Sequence, residues 1–284
     1  IKRDSILPGD SSFIWRESSF QVYSNKSGWG QSHFHQFKND KYQFVKFNRA
    51  ARKFIFDNDK KSLTCRTGFF SAIPWTSIHY TINNFEMHLL SCAPNGWEIA
   101  VFDSTSAEPW ESISPNAPNN GFTPYGNCHC KGTRPLYAFD FGDPGFCGAA
   151  LNWKTDLENF INGLPPNTRV LAYSSQNHNS QSFSNNLYNA FESFGSGNIR
   201  NLPDSIPMII YGKKGMSAGQ AHEVIGATNS SIITLNDTLI TNWTNGYIAS
   251  EIIGPANKWN SLHWKQESLE PISADSVFLK IIGI

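Results

Sequence analysis

The sequence predicts an α+β chain that is predominantly β: a β-sandwich formed by the two ends of the chain, with a mixed module inserted between them. Composition is the first reason. Only 16% of the residues are charged while 14% are aromatic, with 21 Phe and 9 Trp, and Gly, Pro, Asn and Ser fill the intervals between apolar runs. That mixture suits short pleated strands better than helices. Second, apolar and polar residues alternate near both ends, whereas helical spacing is confined to the middle. Third, 284 residues are enough for one large domain or two ordinary ones, two are the expectation, and an insertion is easy where the host's flanking segments lie close together. The expected organisation is therefore a first sandwich part over 1–70, a module over 71–215 and a second sandwich part over 216–284.

Element by element, 12–20 and 42–56 alternate as half-buried strands do, as in Phe13-Ile14-Trp15-Arg16 and Phe44-Val45-Lys46-Phe47. Between them, Gly28-Trp29-Gly30 marks a turn and the run through His33, Phe34, His35 and Phe37 a strand. Further strands are expected at 77–82, 86–91, 96–103 and 136–141. Trp153, Leu157, Phe160 and Ile161 recur at helical spacing and stop at Asn162-Gly163, with Pro165-Pro166 beyond. A strand at 169–173 follows, then a polar stretch over 174–182. A second helix is expected from a Ser184 cap through Leu187, Phe191 and Phe194 to Gly195. Strands are read again at 208–211, 232–235, 246–253 and 277–282.

Charge narrows the partners. Lys plus Arg equals Asp plus Glu at 23 each, so there is no net field to recruit nucleic acid or an anionic membrane. No uninterrupted apolar run approaches the roughly 20 residues that span a bilayer, so membrane insertion is not expected. The chain opens on Ile1 without a charged flank and apolar leader, and closes inside an apolar run at 277–284. It reads as a piece of a longer exported chain, with neighbouring domains of that parent as its first partners.

Chemistry-bearing residues are sparse. Cys128-His129-Cys130 with Cys147 offers thiolates and an imidazole, but the Cys-x-Cys spacing is shorter than structural zinc sites use. The simpler reading is a disulfide between Cys147 and either Cys128 or Cys130, and Cys65 and Cys92 bring the count to an odd five. His33 and His35 point the same way on a strand yet lack a third ligand, so neither metal nor cofactor is expected. Cys147-Gly148-Ala149 resembles a cysteine-peptidase nucleophile, but the His-Gly pair that gingipain-like peptidases present is missing. Asp140, Asp143, Glu108 and Glu111 lie around a Pro/Asn-rich loop, where solvated carboxylates are the default. Gly212-Lys213-Lys214-Gly215 lacks phosphate-loop spacing. No catalytic site is expected.

The order of pieces in the middle carries a family resemblance. Gly96-Trp97-Glu98-Ile99-Ala100-Val101-Phe102-Asp103 is followed by Tyr137-Ala138-Phe139-Asp140, the helix with Leu157 and Phe160-Ile161, and Asn167-Thr168-Arg169-Val170-Leu171. Phe194-Gly195-Ser196-Gly197-Asn198-Ile199-Arg200-Asn201-Leu202 and Ile209-Ile210-Tyr211-Gly212-Lys213-Lys214-Gly215 complete it. Over roughly 75–215 the series resembles the FAM3, or interleukin-like EMT inducer, family, which also supplies the stem domain of the protein O-mannose N-acetylglucosaminyltransferase. The resemblance implies a compact β-sandwich with helices, secreted or lumenal, without catalysis. The stem-domain relatives hold a sugar with two arginines and an acid. The matching positions here are Trp97, Gln176-Asn177 and Pro203, with Asp204 beside the last, so the charges of that site are replaced. Trp97, Gln176, Asn177 and Asp204 are accordingly the candidate ligand-binding residues, Trp97 by stacking on a sugar face if it is exposed.

The outer segments, among them Trp15-Arg16-Glu17-Ser18-Ser19-Phe20, Gly28-Trp29-Gly30-Gln31 and Ile253-Gly254-Pro255-Ala256 with Trp259 and Trp264, look like parts of large exported surface proteins of type IX-secreting bacteria. Asp4-Ser5-Ile6, Asp103-Ser104-Thr105, Asp204-Ser205-Ile206, Asp237-Thr238-Leu239 and Asp275-Ser276-Val277 are similar to the O-glycosylation signal of that group. Ser5, Ser104, Ser205, Thr238 and Ser276 are thus candidate glycosylation sites, provided they sit in exposed loops. The expectation is a non-catalytic segment of a secreted or bacterial cell-surface glycoprotein that binds a glycan or a cell-surface protein. The alternative is a structural spacer or docking scaffold, or an accessory region of a gingipain-like peptidase. Exposure of Trp29, Trp97, Trp110, Trp243, Trp259 and Trp264 would favour the first; burial of all six would favour a scaffold.

Overall fold

The computed structural model describes residues 11–16, 19–24, 31–36, 41–48, 53–69, 71–74, 77–87, 96–112, 135–140 and 152–249. The chain divides into two units, one made of Ile1–Ile55 with Gly246–Ile284 and the other of Phe56–Asn245.

In the first unit β1 (Ser11–Arg16), β2 (Ser19–Ser24) and β3 (Gln31–Gln36) form an antiparallel meander, with Trp15 opposite Phe20 and Phe13 opposite Val22. The alternating run at 12–20 thus falls in two strands, β1 and β2. The run at 42–56 is also subdivided, into β4 (Lys41–Gln43), β5 (Val45–Asn48) and β6 (Lys53–Phe56). The break has a local cause: Phe44 sits at φ 63, a left-handed conformation that no strand continues through.

The second unit holds β7 (Lys60–Thr67), β8 (His79–Ile82), β9 (Phe85–Glu86), β10 (Gly96–Phe102) and β11 (Tyr137–Asp140). Helix α1 (Trp153–Gly163), β12 (Arg169–Ser175), helix α2 (Asn185–Glu192), β13 (Met208–Lys213), β14 (His222–Ile225) and β15 (Ile233–Ile240) follow. Beyond it β16 (Tyr247–Ala249) pairs with β4 in the first unit. Its strands make two antiparallel sheets, ordered β11-β10-β12-β13-β14 and β15-β7-β8-β9. The unit reaches past 71–215 at both ends, because β7 and β15 pair along eight residues, from Lys60 opposite Ile240 to Thr67 opposite Ile233.

Each sheet residue's parity decides which of two cores it joins. From the five-stranded sheet, Ala100, Phe102, Leu171, Tyr173 and Ile209 meet Leu63, Cys65, Tyr80, Ile82, Leu235 and Leu239 of the other sheet. The alternate residues Trp97, Ile99, Val101, Val170, Ala172, Met208 and Ile210 pack under the helices. Both faces of β10 are therefore covered and all seven of its residues are buried, which is why 97–102 reads as a nearly continuous apolar run. β7 and β15, covered on one face only, keep the alternation.

Helix α1 buries Trp153, Leu157, Phe160 and Ile161, one stripe at i, i+4, i+7 and i+8. Helix α2 starts where the Ser184 hydroxyl accepts the Leu187 amide at 3.0 Å. It ends at Glu192, short of Gly195, which carries the left-handed turn at φ 103. That turn presses the Phe194 carbonyl onto β13. A Cβ at Gly212 would lie 1.8 Å from the Phe194 oxygen, so only glycine fits.

Candidate functional site

Where β12 runs out, the chain leaves the sheet through two left-handed residues, Gln176 at φ 54 and Asn179 at φ 52, an arrangement that raises backbone energy and marks a site worth inspecting. Asn177 between them accepts the Asn179 amide at 3.3 Å, and a single 3-10 turn at Ser180–Ser182 leads to α2. This segment forms one wall of a groove of about 390 Å³, contributing Gln176, Asn177 and Gln181. Pro203, Asp204 and Ser205 form the opposite wall, and Phe69, Ser71 and Asn229 close it from the other sheet's connections.

Two hydrogen bonds hold the walls together. The Gln181 amide donates to Asp204 Oδ1 at 2.8 Å, and His178 Nε2 lies 2.9 Å from the Ile206 carbonyl. The His178 ring is buried under the groove. Its Nδ1 is 2.7 Å from Ser180 Oγ, which also accepts Trp97 Nε1 at 3.2 Å. Burial pushes the imidazole below its ordinary value, and the Ile206 carbonyl and the Asp204 charge offset only part of this. Tyr188 donates its hydroxyl to the Ser180 carbonyl at 2.9 Å, tying α2 to the same turn.

Three of the four ligand-binding candidates, Gln176, Asn177 and Asp204, meet in this groove. Trp97 does not, and the stacking expectation is corrected: the residue is 0% exposed. Its ring sits 4.9 Å from Phe191 and 5.5 Å from His178, because an odd position on β10 faces the helices. Of the other tryptophans weighed for exposure, Trp110 and Trp243 are half-buried, and Trp29, Trp259 and Trp264 lie outside the described residues. Phe69, Ser71, Gln181 and Asn229 are not among the sequence candidates, since they come from three separate stretches. Besides the family positions, the polar run 174–182, which includes Gln181, is the sequence signal pointing here.

The groove offers amides on several sides and, among its described lining residues, one ionisable group, Asp204. The Gln176 Nε2 is buried and has no hydrogen-bond partner among the described residues, so this donor is left for a ligand or water. Amide and carboxylate groups in such a ring exchange hydrogen bonds with neutral hydroxylated or amide-bearing molecules.

Of the glycosylation candidates, Ser205 is exposed on the groove's rim. Ser104 is half-buried in a turn organised by Asp103, whose Oδ1 accepts the Thr105 and Ser106 amides at 2.9 and 2.7 Å. Thr238 is exposed but lies within β15 opposite Ser62, so it is not in the loop the expectation required. Ser5 and Ser276 lie outside the described residues, as do Cys128, Cys130 and Cys147. Cys65 is a free thiol in the inter-sheet core, pushed up well above its ordinary value by burial and by the Glu98 charge. Burial and the same Glu98 charge push the Tyr173 hydroxyl well above its ordinary value. Among the acid candidates, Glu108 forms an ion pair with Lys61. No group of three His, Cys, Asp or Glu side chains among the described residues has metal-binding geometry.

The fold of the second unit defines a class: a two-sheet antiparallel sandwich, mainly β, with two helices laid on the outer face of the larger sheet. Residues 138–216, from β11 to the turn after β13, match the family model described as the interleukin-like EMT inducer. Over that stretch the family resemblance of the sequence is established. No curated protein matches the chain.

Proposed function

We propose that the chain is a non-catalytic binding module that holds a neutral glycan in the groove between the 176–181 and 203–205 walls. The observation carrying this reading is the buried Gln176 Nε2, without a hydrogen-bond partner among the described residues and on a left-handed backbone, set within a ring of amides and one carboxylate. Sugar hydroxyls are neutral donors and acceptors at once, which suits a surface offering both. With Trp97 withdrawn into the core, recognition rests on hydrogen bonds. Affinity is then modest, on the order of millimolar, or about −4 kcal/mol. The export reading fits the interleukin-like EMT inducer segment, and Ser205 on the rim is the best placed acceptor for a glycan of the module's own. A neighbouring domain of a longer cell-surface chain would present the groove to its target.

The test is titration calorimetry of the full chain against neutral, acidic and N-acetylated oligosaccharides at neutral pH, repeated with Gln176→Ala and Asp204→Ala. Binding of a neutral sugar that both substitutions weaken by about tenfold supports the reading. Binding that neither substitution alters would place the ligand elsewhere, and no binding by any sugar class would reject it. Phe85, 73% exposed beside the tip of the β8–β9 hairpin, favours protein docking as the second reading.

A further inference from the structure

The groove carries a charge that nothing around it balances. Asp204 is half-buried on the 203–205 wall, where its Oδ1 accepts the Gln181 amide at 2.8 Å. That donor is a neutral N–H, and no Lys or Arg among the described residues forms an ion pair with the carboxylate. Lys154 reaches the 176–182 segment from α1, but its Nζ is engaged by the Ser182 hydroxyl and carbonyl. Burial disfavours the charged form of the His178 imidazole, so it supplies no counter-charge either. Two unmet needs therefore line one groove of about 390 Å³: the buried Gln176 Nε2, which lacks an acceptor among the described residues, and Asp204, which lacks a cation.

We propose that the groove prefers amino sugars and that Asp204 is the residue that selects them: an ammonium group on the ring pairs with this carboxylate while neighbouring hydroxyls meet the amides. A sugar in which one hydroxyl is replaced by an amine carries both complements on one rigid frame. Its hydroxyls accept from Gln176 and exchange hydrogen bonds with Asn177, Gln181 and Asn229, and its ammonium makes a charge-assisted bond to Asp204. The inference rests on the reading of this groove as a sugar site and sharpens it. Neutral rings are held by hydrogen bonds alone, an amine adds an ion pair, and a carboxylated ring is repelled. Because Asp204 is only half-buried, solvent screens part of the attraction, and the gain is about three- to fivefold in affinity. Acetylation of the amine removes the charge and with it the gain. A bare amine satisfies Asp204 but leaves the ring of amides unmet, so the hydroxylated frame is required as well.

The experiment is an NMR titration of the full chain at about pH 6.5, below the roughly 7.7–8.0 of an ordinary amino group, so that the amine is charged. The probes are the methyl glycosides of glucose and galactose, and their derivatives with one hydroxyl replaced by an amine or by an acetamide. Ethanolamine serves as an amine without a ring. In at least one of the two series the amino sugar should bind at least about threefold tighter than both counterparts in about 10 mM salt. The advantage should vanish in about 1 M salt, where charges are screened within about 3 Å. Asp204→Asn keeps an acceptor oxygen for the Gln181 amide and should erase the advantage, the ratio of the two affinities being the quantity read. Should that variant fail to fold, the salt dependence of the wild-type ratio decides. Equal binding of amino and hydroxyl sugars, an advantage that survives in Asp204→Asn or in about 1 M salt, or ethanolamine matching the amino sugar overturns the preference. Equal binding leaves the sugar reading standing and removes only the selection by Asp204, whereas no binding by any ring overturns both.

Discussion

Replacing Trp97 with phenylalanine separates a buried tryptophan from a sugar-stacking one. The side chain is wholly enclosed, packs on Phe191 and His178 and donates its indole hydrogen to Ser180. Truncation to alanine would cost about 3–5 kcal/mol, a large share of a typical 5–15 kcal/mol stability. Phenylalanine fills most of the space, so its loss is the smaller ring plus one hydrogen bond, about 1–2 kcal/mol. For a unit of this size each kcal/mol lowers Tm by about 2–4 °C, which gives a drop of about 2–8 °C in a thermal scan. Sugar affinity at neutral pH should stay within about twofold, because the ring touches no groove ligand. Loss of binding with Tm unchanged would refute the reasoning, since that outcome requires an exposed ring in contact with the sugar.

The other predictions concern backbone and charge. Gly212→Ala drives a methyl group into the Phe194 carbonyl and should destabilise the second unit by about 3 kcal/mol or more, seen as a lowered urea midpoint or insoluble protein. Gln176→Gly relieves a left-handed conformation and should raise stability by up to about 1 kcal/mol while weakening sugar binding, two opposite signs in one variant. Burial alone would raise the Asp103 carboxyl, but hydrogen bonds from Ser106 and Thr105 and the Arg169 charge outweigh it and hold the group below its ordinary value. Its stabilising contribution is complete above the unfolded value of about 3.9 and is lost as pH falls through the lower folded value. Asp103→Asn should therefore flatten the acid limb of stability below about pH 4, measured by denaturant midpoints across that limb.

What the sequence revealed follows from how local each signal is. Helix α1 was legible because its four buried residues repeat within eleven positions, and the start of α2 because a serine cap acts within three. The limits of the second unit were not, since pairing of β7 with β15 joins residues far apart in the chain and leaves no mark on either strand's alternation. Trp97 misled for a related reason: a strand covered on both faces has no polar side by which its two parities can be told apart. In the groove, Gln176, Asn177 and Asp204 were found through family position. Phe69, Ser71 and Asn229 were beyond reach, since only the stacking of the two sheets brings them there.

The closing pair of strands also governs how the second unit would respond to tension. Lys60 on β7 faces Ile240 on β15, and just outside them the Asp59 amide donates to the Thr241 hydroxyl at 2.7 Å and the Trp243 amide to Asn58 Oδ1 at 2.9 Å. The chain enters and leaves at the same end of this ladder. A force applied through the flanking segments would therefore load one rung at a time, as a zipper does, instead of shearing all rungs together. The unit should yield at low force, from Thr241 and Asp59 inward, so that a chain under strain extends here before its sheets are torn across.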